Sequence, residues 1–166
     1  MNRQEENKTA DAKLLYSASF LGDGMCVEKK YYPNGSLKKE IHWKGNKKEG
    51  PVREYNKDGV LSKETFYKNG KREGIERFYR DDGTLWQELP WVNGKIEGDL
   101  KMYRPDGGIE VVIPYESDKM HGVMKSFNPD GSLEKVVIYE KGKVVDTLSA
   151  PEGPPKKKKM KPKVRL

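Results

Sequence analysis

Residues 67–85, YKNGKREGIERFYRDDGTL, contain two turn signals, Gly70 and the dipeptide Asp82-Gly83. Between them lies a short segment rich in aromatic and charged residues. Asp-Gly and Asn-Gly next to alternating segments are strong hairpin signals, because glycine, asparagine and aspartate take positive φ at the lowest steric cost. The stretch therefore predicts a strand between two tight turns, with both residues of the Asp-Gly turn at positive φ.

The turn signals recur every 24 residues along the chain. The first series consists of the dipeptides Asn34-Gly35, Asp58-Gly59, Asp82-Gly83, Asp106-Gly107 and Asp130-Gly131. A second glycine series keeps the same interval and comprises Gly50, Gly74, Gly98 and Gly122. At the position of Gly70, two units carry Asn46 and Asp118, which we expect to replace glycine in the turn. A fixed period of this length predicts about five tandem hairpin repeats.

Aligning the five units reveals columns of constant chemistry. The aromatic residues four positions before the first turn glycine are Tyr31, Tyr55, Tyr79, Tyr103 and Phe127. The cations two positions earlier are Lys29, Arg53, Arg77, Lys101 and Lys125. A second aromatic column consists of Trp43, Tyr67, Trp91, Tyr115 and Tyr139. An aliphatic column consists of Leu37, Leu61, Leu85, Ile109 and Leu133. We expect both aromatic columns to interleave with the aliphatic column in one shallow, extended core.

The predicted architecture is all-β: an elongated antiparallel β-meander of about ten or eleven strands in a single twisted or rolled sheet. Strand alternation places apolar residues on one face and mostly polar residues on the other. Two further strands, Leu14 to Phe20 and Val144 to Leu148, are expected to cap the array. Pro90 and Pro114 occupy equivalent positions and predict a bend or a break in the strand ladder.

Composition supports an elongated fold rather than a compact one. Hydrophobic residues make up 34% of the chain and charged residues 36%, whereas a compact domain draws nearly half of its residues from the apolar set. Residues 151–166 hold seven cations and one anion and account for six of the seven net positive charges. We therefore expect a disordered N-terminus over 1–12, a repeat array over 13–150 and a disordered basic Lys/Pro tail over 151–166.

Nothing in the residue pattern points to catalysis. The chain has one cysteine, Cys26, and two histidines, His42 and His121, which lie in non-equivalent columns, so no nucleophile–base set or metal-ligand spacing emerges. Glu49, Glu73 and Glu97 share a column beside a turn and are expected to pair with neighbouring lysines and arginines. The predictions are no enzyme, no metal and no cofactor. No apolar run approaches the roughly 20 residues of a membrane span, and a cytoplasmic location is expected.

The repeat unit resembles a known family. Tyr67 to Gly74 (YKNGKREG), followed by Ile75 to Leu85 (IERFYRDDGTL), is similar to the MORN-repeat variant of the bacterial YwqK-type antitoxin family. The resemblance covers about residues 24–145, and the chain is less dense in glycine and tyrosine than ordinary MORN repeats. It implies an all-β array that binds a partner protein, as the neutralising half of a toxin–antitoxin or immunity pair.

Two functional hypotheses follow. In the first, a partner protein binds the array at Arg53, Tyr55, Arg77, Tyr79, Lys101 and Tyr103. If the chain acts as an antitoxin, that partner is a toxin. Against it stands the simpler interpretation that the aromatic columns are only the core. In the second, nucleic acid or an anionic membrane binds the basic tail through Lys156, Lys157, Lys158, Lys159, Lys161, Lys163 and Arg165. The open edges of the array also permit end-to-end dimers, and the oligomeric state stays open.

Overall fold

The computed structural model describes residues 16–149, which form strands joined by turns. The strands are β1 Tyr16–Gly22, β2 Met25–Tyr31, β3 Leu37–Lys44, β4 Lys47–Tyr55, β5 Leu61–Lys68, β6 Lys71–Arg72, β7 Gly74–Tyr79, β8 Leu85–Val92, β9 Lys95–Ile96, β10 Gly98–Tyr103, β11 Ile109–Glu116, β12 Lys119–Met120, β13 Gly122–Phe127, β14 Leu133–Glu140 and β15 Lys143–Ser149. The predicted terminal strands are present as β1 and β15, although Leu14 lies outside the described residues. The segments predicted to be disordered, 1–12 and 151–166, also lie outside them.

All strands belong to one open antiparallel sheet in which each hairpin pairs with the next along the chain. The predicted all-β meander is confirmed. The expected strand number is too low, because fifteen strands are present instead of ten or eleven. Three of the extra strands, β6, β9 and β12, have only two residues each and are separated by a single residue from the strand that follows. A bulge at the second glycine series thus divides one strand of the repeat in two.

The first turn of each unit differs from the prediction. Gly35 N donates to Tyr32 O at 2.8 Å, and Tyr32 N donates to Ser36 O at 2.9 Å, which closes a three-residue loop. Only the glycine takes positive φ, 90° at Gly35, whereas Asn34 accepts a hydrogen bond from Ser36 N at 3.0 Å. A type I turn followed by a left-handed glycine has this geometry. The expectation of positive φ at both turn residues is therefore wrong here.

The second turn does place two successive residues at positive φ in most units. Asn69 and Gly70 have φ values of 51° and 81°, and Ser117 and Asp118 have 46° and 68°. The predicted role of Asp118 as a glycine substitute is confirmed. In the first unit the positive φ of 58° belongs to Gly45, so the same role for Asn46 is wrong.

The two faces of the sheet have different chemistry. We call the face that carries the buried row the core face; its central row runs across neighbouring strands as Ile41, Val52, Thr65, Glu76, Leu89, Leu100, Ile113, Met124 and Val137. Six of the seven buried hydrophobic residues lie on this face, and Val27 is the exception. Side chains alternate between faces along each strand, so the column of Trp91 shares the core face and the column of Tyr79 lies opposite. The expectation that both aromatic columns form one core is wrong.

The strand ladder breaks at the equivalent prolines, as predicted. On one side of Pro90, Trp91 pairs with Ile96; on the other, Glu88 pairs with Lys101. Between them only Glu97 N donates to Pro90 O, at 3.2 Å. The same break occurs at Phe66, which accepts from Glu73 N at 2.9 Å, so the glycine bulge causes the break and proline merely fits it.

Candidate functional site

A single row of charged side chains crosses the face opposite the core. Direct cross-strand pairing joins Lys29, Glu40, Arg53, Glu64, Arg77, Glu88 and Lys101 in that order. We call this row the charge ladder and its side of the sheet the ladder face. Residues directly across from each other in neighbouring strands lie about 5 Å apart, so each cation of the row has a glutamate beside it.

Ion pairs and hydrogen bonds connect much of the charge ladder. Arg53 contacts carboxylates on both sides, Glu64 at 2.8 Å and Glu40 at 3.4 Å. Arg77 contacts Glu88 at 3.0 Å. The Arg53 guanidinium loses water on burial, which lowers its pKa, but the hydrogen bond and charge of Glu64 outweigh this and raise the pKa above its usual value. The ladder is a partly desolvated network rather than a row of free charges.

The tyrosine column borders the charge ladder on the same face. The Tyr103 hydroxyl donates to Glu88 Oε2 at 2.9 Å. Burial, this hydrogen bond and the charge of Glu88 together raise the pKa of Tyr103 to about 12. Burial also raises the pKa of Tyr55 and Tyr79, with contributions from ladder carboxylates. These half-buried rings present an apolar body and a polar tip, as interface tyrosines do.

The structure brings all six candidate partner-binding residues together on the ladder face. The three cations among them alternate with a glutamate column, Glu40, Glu64 and Glu88, that the sequence analysis missed. The signal was available, because these glutamates also recur every 24 residues.

The glutamates beside the second turn do not act as predicted. Glu49 Oε2 accepts a hydrogen bond from Asn69 N at 2.6 Å, and Glu73 Oε2 accepts one from Asn93 N at 2.8 Å. Each carboxylate thus caps the turn of the following unit, since it satisfies a backbone donor there. They join successive units and form no ion pair with a lysine or arginine among residues 16–149.

The core face contains one buried carboxylate. Glu76 is 2% exposed and accepts from Lys63 Nζ at 2.8 Å, Thr65 Oγ1 at 2.7 Å and Trp91 Nε1 at 2.9 Å. Burial raises the pKa of Glu76, but the hydrogen bonds and the charge of Lys63 outweigh it, so the net pKa is lowered. All of its polar neighbours come from adjacent strands, which gives the cluster a structural role in register and packing.

The two histidines and the candidate metal ligands do not come together among the described residues. Within 16–149, no three His, Cys, Asp or Glu side chains are placed to hold a metal ion. His42 bonds to Pro51 O at 2.9 Å, and His121 lies 3.6 Å from Glu116 in a distant hairpin. No helix in this part of the chain is long and apolar enough to cross a membrane.

Comparison with known families places the chain. The family model of the MORN repeat variant matches residues 27–44, 48–69, 72–93 and 120–141, just over half of the chain. Residues 98–116 fold as the same hairpin, β10 and β11. No curated protein matches the sequence. MORN repeats form scaffolds that often bind proteins or membranes and are typically non-catalytic. With four matched repeats on a continuous hairpin meander, this chain belongs to the MORN repeat variant family.

Proposed function

We propose that the chain is a non-catalytic scaffold whose ladder face binds a partner protein in the cytoplasm. The observation that carries the proposal is the grouping of Arg53, Arg77 and Lys101 in one cross-strand row, bordered by the tyrosine column. Arginine and tyrosine are enriched at protein interfaces, since both combine a large contact area with directional hydrogen bonding. We assign the whole of residues 13–150 to this scaffold.

The finer proposal is an antitoxin-like or immunity-like role. It is supported by the resemblance of residues 67–85 to the YwqK-type antitoxin family. An antitoxin requires a dedicated partner, held in a stoichiometric complex by a folded surface. Co-expression with the captured partner provides the test: the partner should inhibit growth when expressed by itself, and the array should relieve that inhibition.

A second candidate function rests on the tail. Residues 151–166 carry six of the seven net positive charges, which suits nucleic acid or an anionic membrane surface. Binding of this kind is electrostatic and weakens steeply as salt rises. It also requires only the tail, so deletion of residues 151–166 should abolish it.

Capture from nuclease-treated lysate of the source cells separates the two functions. Full-length protein and a 1–150 truncation are washed at high salt beside Tyr79→Ala/Lys101→Ala and a control, Lys95→Ala/Lys119→Ala. The control removes exposed turn lysines of the same sheet. The scaffold is supported if full-length protein, the 1–150 truncation and the control all retain one stoichiometric protein. Tyr79→Ala/Lys101→Ala should lose that protein. Loss on truncation would refute it in favour of the tail.

A further inference from the structure

The ladder face changes its chemistry between the third and fourth hairpins. The cation column is complete in all five units, and it ends with Lys101 and Lys125. The acidic column is not, because Val112 and Val136 occupy the positions that correspond to Glu40, Glu64 and Glu88. The row nevertheless continues in register, as Lys101 pairs with Val112, Val112 with Lys125, and Lys125 with Val136.

Two lysines therefore lack the carboxylate neighbours that their counterparts have. Lys125 lies directly opposite two valines, and the one acidic residue directly opposite Lys101, Glu88, is already engaged by Arg77 and Tyr103. Neither lysine forms an ion pair with any residue of the described chain, whereas Lys29, Arg53 and Arg77 all do. In the first three hairpins glutamate fills the positions next to the cations. A carboxylate is therefore the ligand that Lys101 and Lys125 lack.

Apolar side chains lie beside the two lysines on the same face. We call Val112, Val123, Val136, Ile138 and Leu148 the valine patch. Val123 pairs with Ile138 and Val136 pairs with Leu148, which connects the patch across β13, β14 and β15. Val112 on β11 lies between Lys101 and Lys125. Val123 is 43% exposed and Leu148 is 53% exposed. Contiguous apolar surface with charges among it marks a site of protein interaction.

We propose that the valine patch, with Lys101 and Lys125, is the docking site for an amphipathic helix of a partner protein that carries acidic residues seven positions apart. Lys101 and Lys125 are two strands apart, roughly 10 Å. Seven residues of α-helix span about 10.5 Å, and the positions three and four residues along share the same helix face. Glutamates at that spacing reach both lysines while the intervening apolar residues cover Val112. This inference rests on the proposed function and specifies its partner.

Other occupants fit this surface less well. A second copy that met the patch with its own patch would bring its lysines towards these lysines, an unfavourable contact between like charges. A nucleic acid would place its phosphates over valines, where two cations offer little compensation. A partner that supplies both carboxylates and apolar side chains satisfies both features of the surface.

The test uses the full-length chain and two synthetic helical peptides of roughly 15 residues, long enough for measurable helicity. One has glutamates seven positions apart on its leucine face, and the other has lysines there. Amide chemical shifts of the labelled protein are followed as each peptide is added to millimolar concentration. The variant Val112→Glu/Val136→Glu restores the acidic column and places like charge against the acidic peptide. The control Lys95→Gln/Lys119→Gln changes the net charge by the same amount away from the patch.

We expect saturable shifts confined to β10, β11, β13, β14 and β15 with the acidic peptide and none with the basic one. Affinity should fall at least about tenfold in Val112→Glu/Val136→Glu and stay within about twofold in the control. The restored glutamates pair with Lys101 and Lys125, so this variant should melt no lower than the wild-type protein. Absence of shifts, equal shifts with both peptides, or shifts that depend on protein concentration alone, as for a second copy, would each overturn the docking site.

The same variant separates this inference from the proposed function. If the lysate partner is captured equally by wild-type protein and Val112→Glu/Val136→Glu, and the acidic peptide gives no shifts, the docking site is wrong and the scaffold stands. If no protein survives the high-salt wash of any form, the scaffold itself fails and the docking site fails with it.

Discussion

Replacement of Glu76 by leucine probes the buried carboxylate of the core face. Leucine already occupies the equivalent position one unit later, where Leu100 lies next to Leu89 in the same row. The substitution therefore introduces a side chain that the repeat accommodates elsewhere. What it removes is the shared acceptor of three donors, Lys63, Thr65 and Trp91.

The expected loss of free energy of unfolding depends on whether each donor can reach water once the carboxylate is gone. Thr65 is 3% exposed and Trp91 9%, so both would stay buried without an acceptor, at about 1–3 kcal/mol each. The Lys63 side chain is 27% exposed and can turn towards water, so its loss is smaller. Burial of the leucine offsets about 1.5–3 kcal/mol of the total. We expect Glu76→Leu to lower the free energy of unfolding by about 1–3 kcal/mol.

A second substitution identifies the mechanism. Thr65→Val in the Glu76→Leu background removes one of the stranded donors and should recover about 1–2 kcal/mol. Thr65→Val by itself should destabilise the protein, because it removes a hydrogen bond from the intact Glu76 carboxylate. A stability change for Thr65→Val that reverses its sign between the wild-type and Glu76→Leu backgrounds shows that residues 65 and 76 are energetically coupled.

Urea unfolding followed by tryptophan fluorescence measures these differences. Hydrogen exchange at β5, β7 and β8 accompanies it, since repeat arrays can unfold in parts. Glu28→Leu is the matched control: Glu28 accepts from Trp43 at 3.0 Å, but its side chain is 16% exposed and near the end of the array. Its effect should be smaller and limited to the first hairpins. A Glu76→Leu protein as stable as wild type, or a double variant no better than the single, would refute the argument.

The same carboxylate predicts a pH dependence. The pKa of Glu76 is lowered in the folded chain, so the unfolded chain takes up the proton first as pH falls. The stabilisation is fully present above the ordinary glutamate pKa of about 4.3 and is lost as pH falls through the folded value. Glu76→Leu should lack this acid-dependent component, and equal acid slopes for the two proteins would contradict it.

Three further outcomes are expected. Arg77→Met should destabilise the sheet by about 0.5–1 kcal/mol, because it breaks a half-exposed ion pair. Lys101→Met should change stability little. Equal urea midpoints for these two variants would contradict this expectation. The Tyr103 phenol should titrate at about 12 by ultraviolet absorbance, so its stabilising contribution, present below pH 10, should be lost between about pH 10 and 12. Gly122→Ala, with φ of 107° and a new methyl 3.2 Å from the neighbouring proline, should destabilise more than Gly131→Ala, with φ of 81° and open space; calorimetry should show the lower midpoint for Gly122→Ala.

The repeat and its hairpins could be predicted because turn chemistry is local. Glycine, asparagine and aspartate at a fixed interval determine where the chain reverses, and neighbouring reversals leave little choice but a meander. The type of turn could not be predicted with the same success. Whether Asn34 takes positive φ depends on the hydrogen bond from Ser36 N to its side chain, which competes with the alternative turn.

The assignment of columns to faces failed for a different reason. Next to each first turn the register slips by one residue: Phe78 pairs with Gln87, but Tyr79 pairs with Leu85. An inserted residue disturbs the relation between side-chain direction and sequence position, so counting in twos from one strand to the next gives the wrong face. The grouping of Arg77 and Tyr79 was still predicted, because both lie on one strand and the extra residue, Trp86, belongs to the partner strand. The partners of Arg77 on adjacent strands required the register.

The candidate residues are not equivalent once their partners are known. Arg53 and Arg77 already bind ladder carboxylates, so a partner that engages them must first displace or share those bonds. Lys101 has no such commitment within the described chain, and Lys125 has none either. In a repeat array each unit contacts only its neighbours, so a change from Glu to Val in one column frees the adjacent cation without disturbing the rest. Recognition should therefore concentrate in the fourth and fifth hairpins, and loss of Lys101 should weaken partner binding more than loss of Arg53.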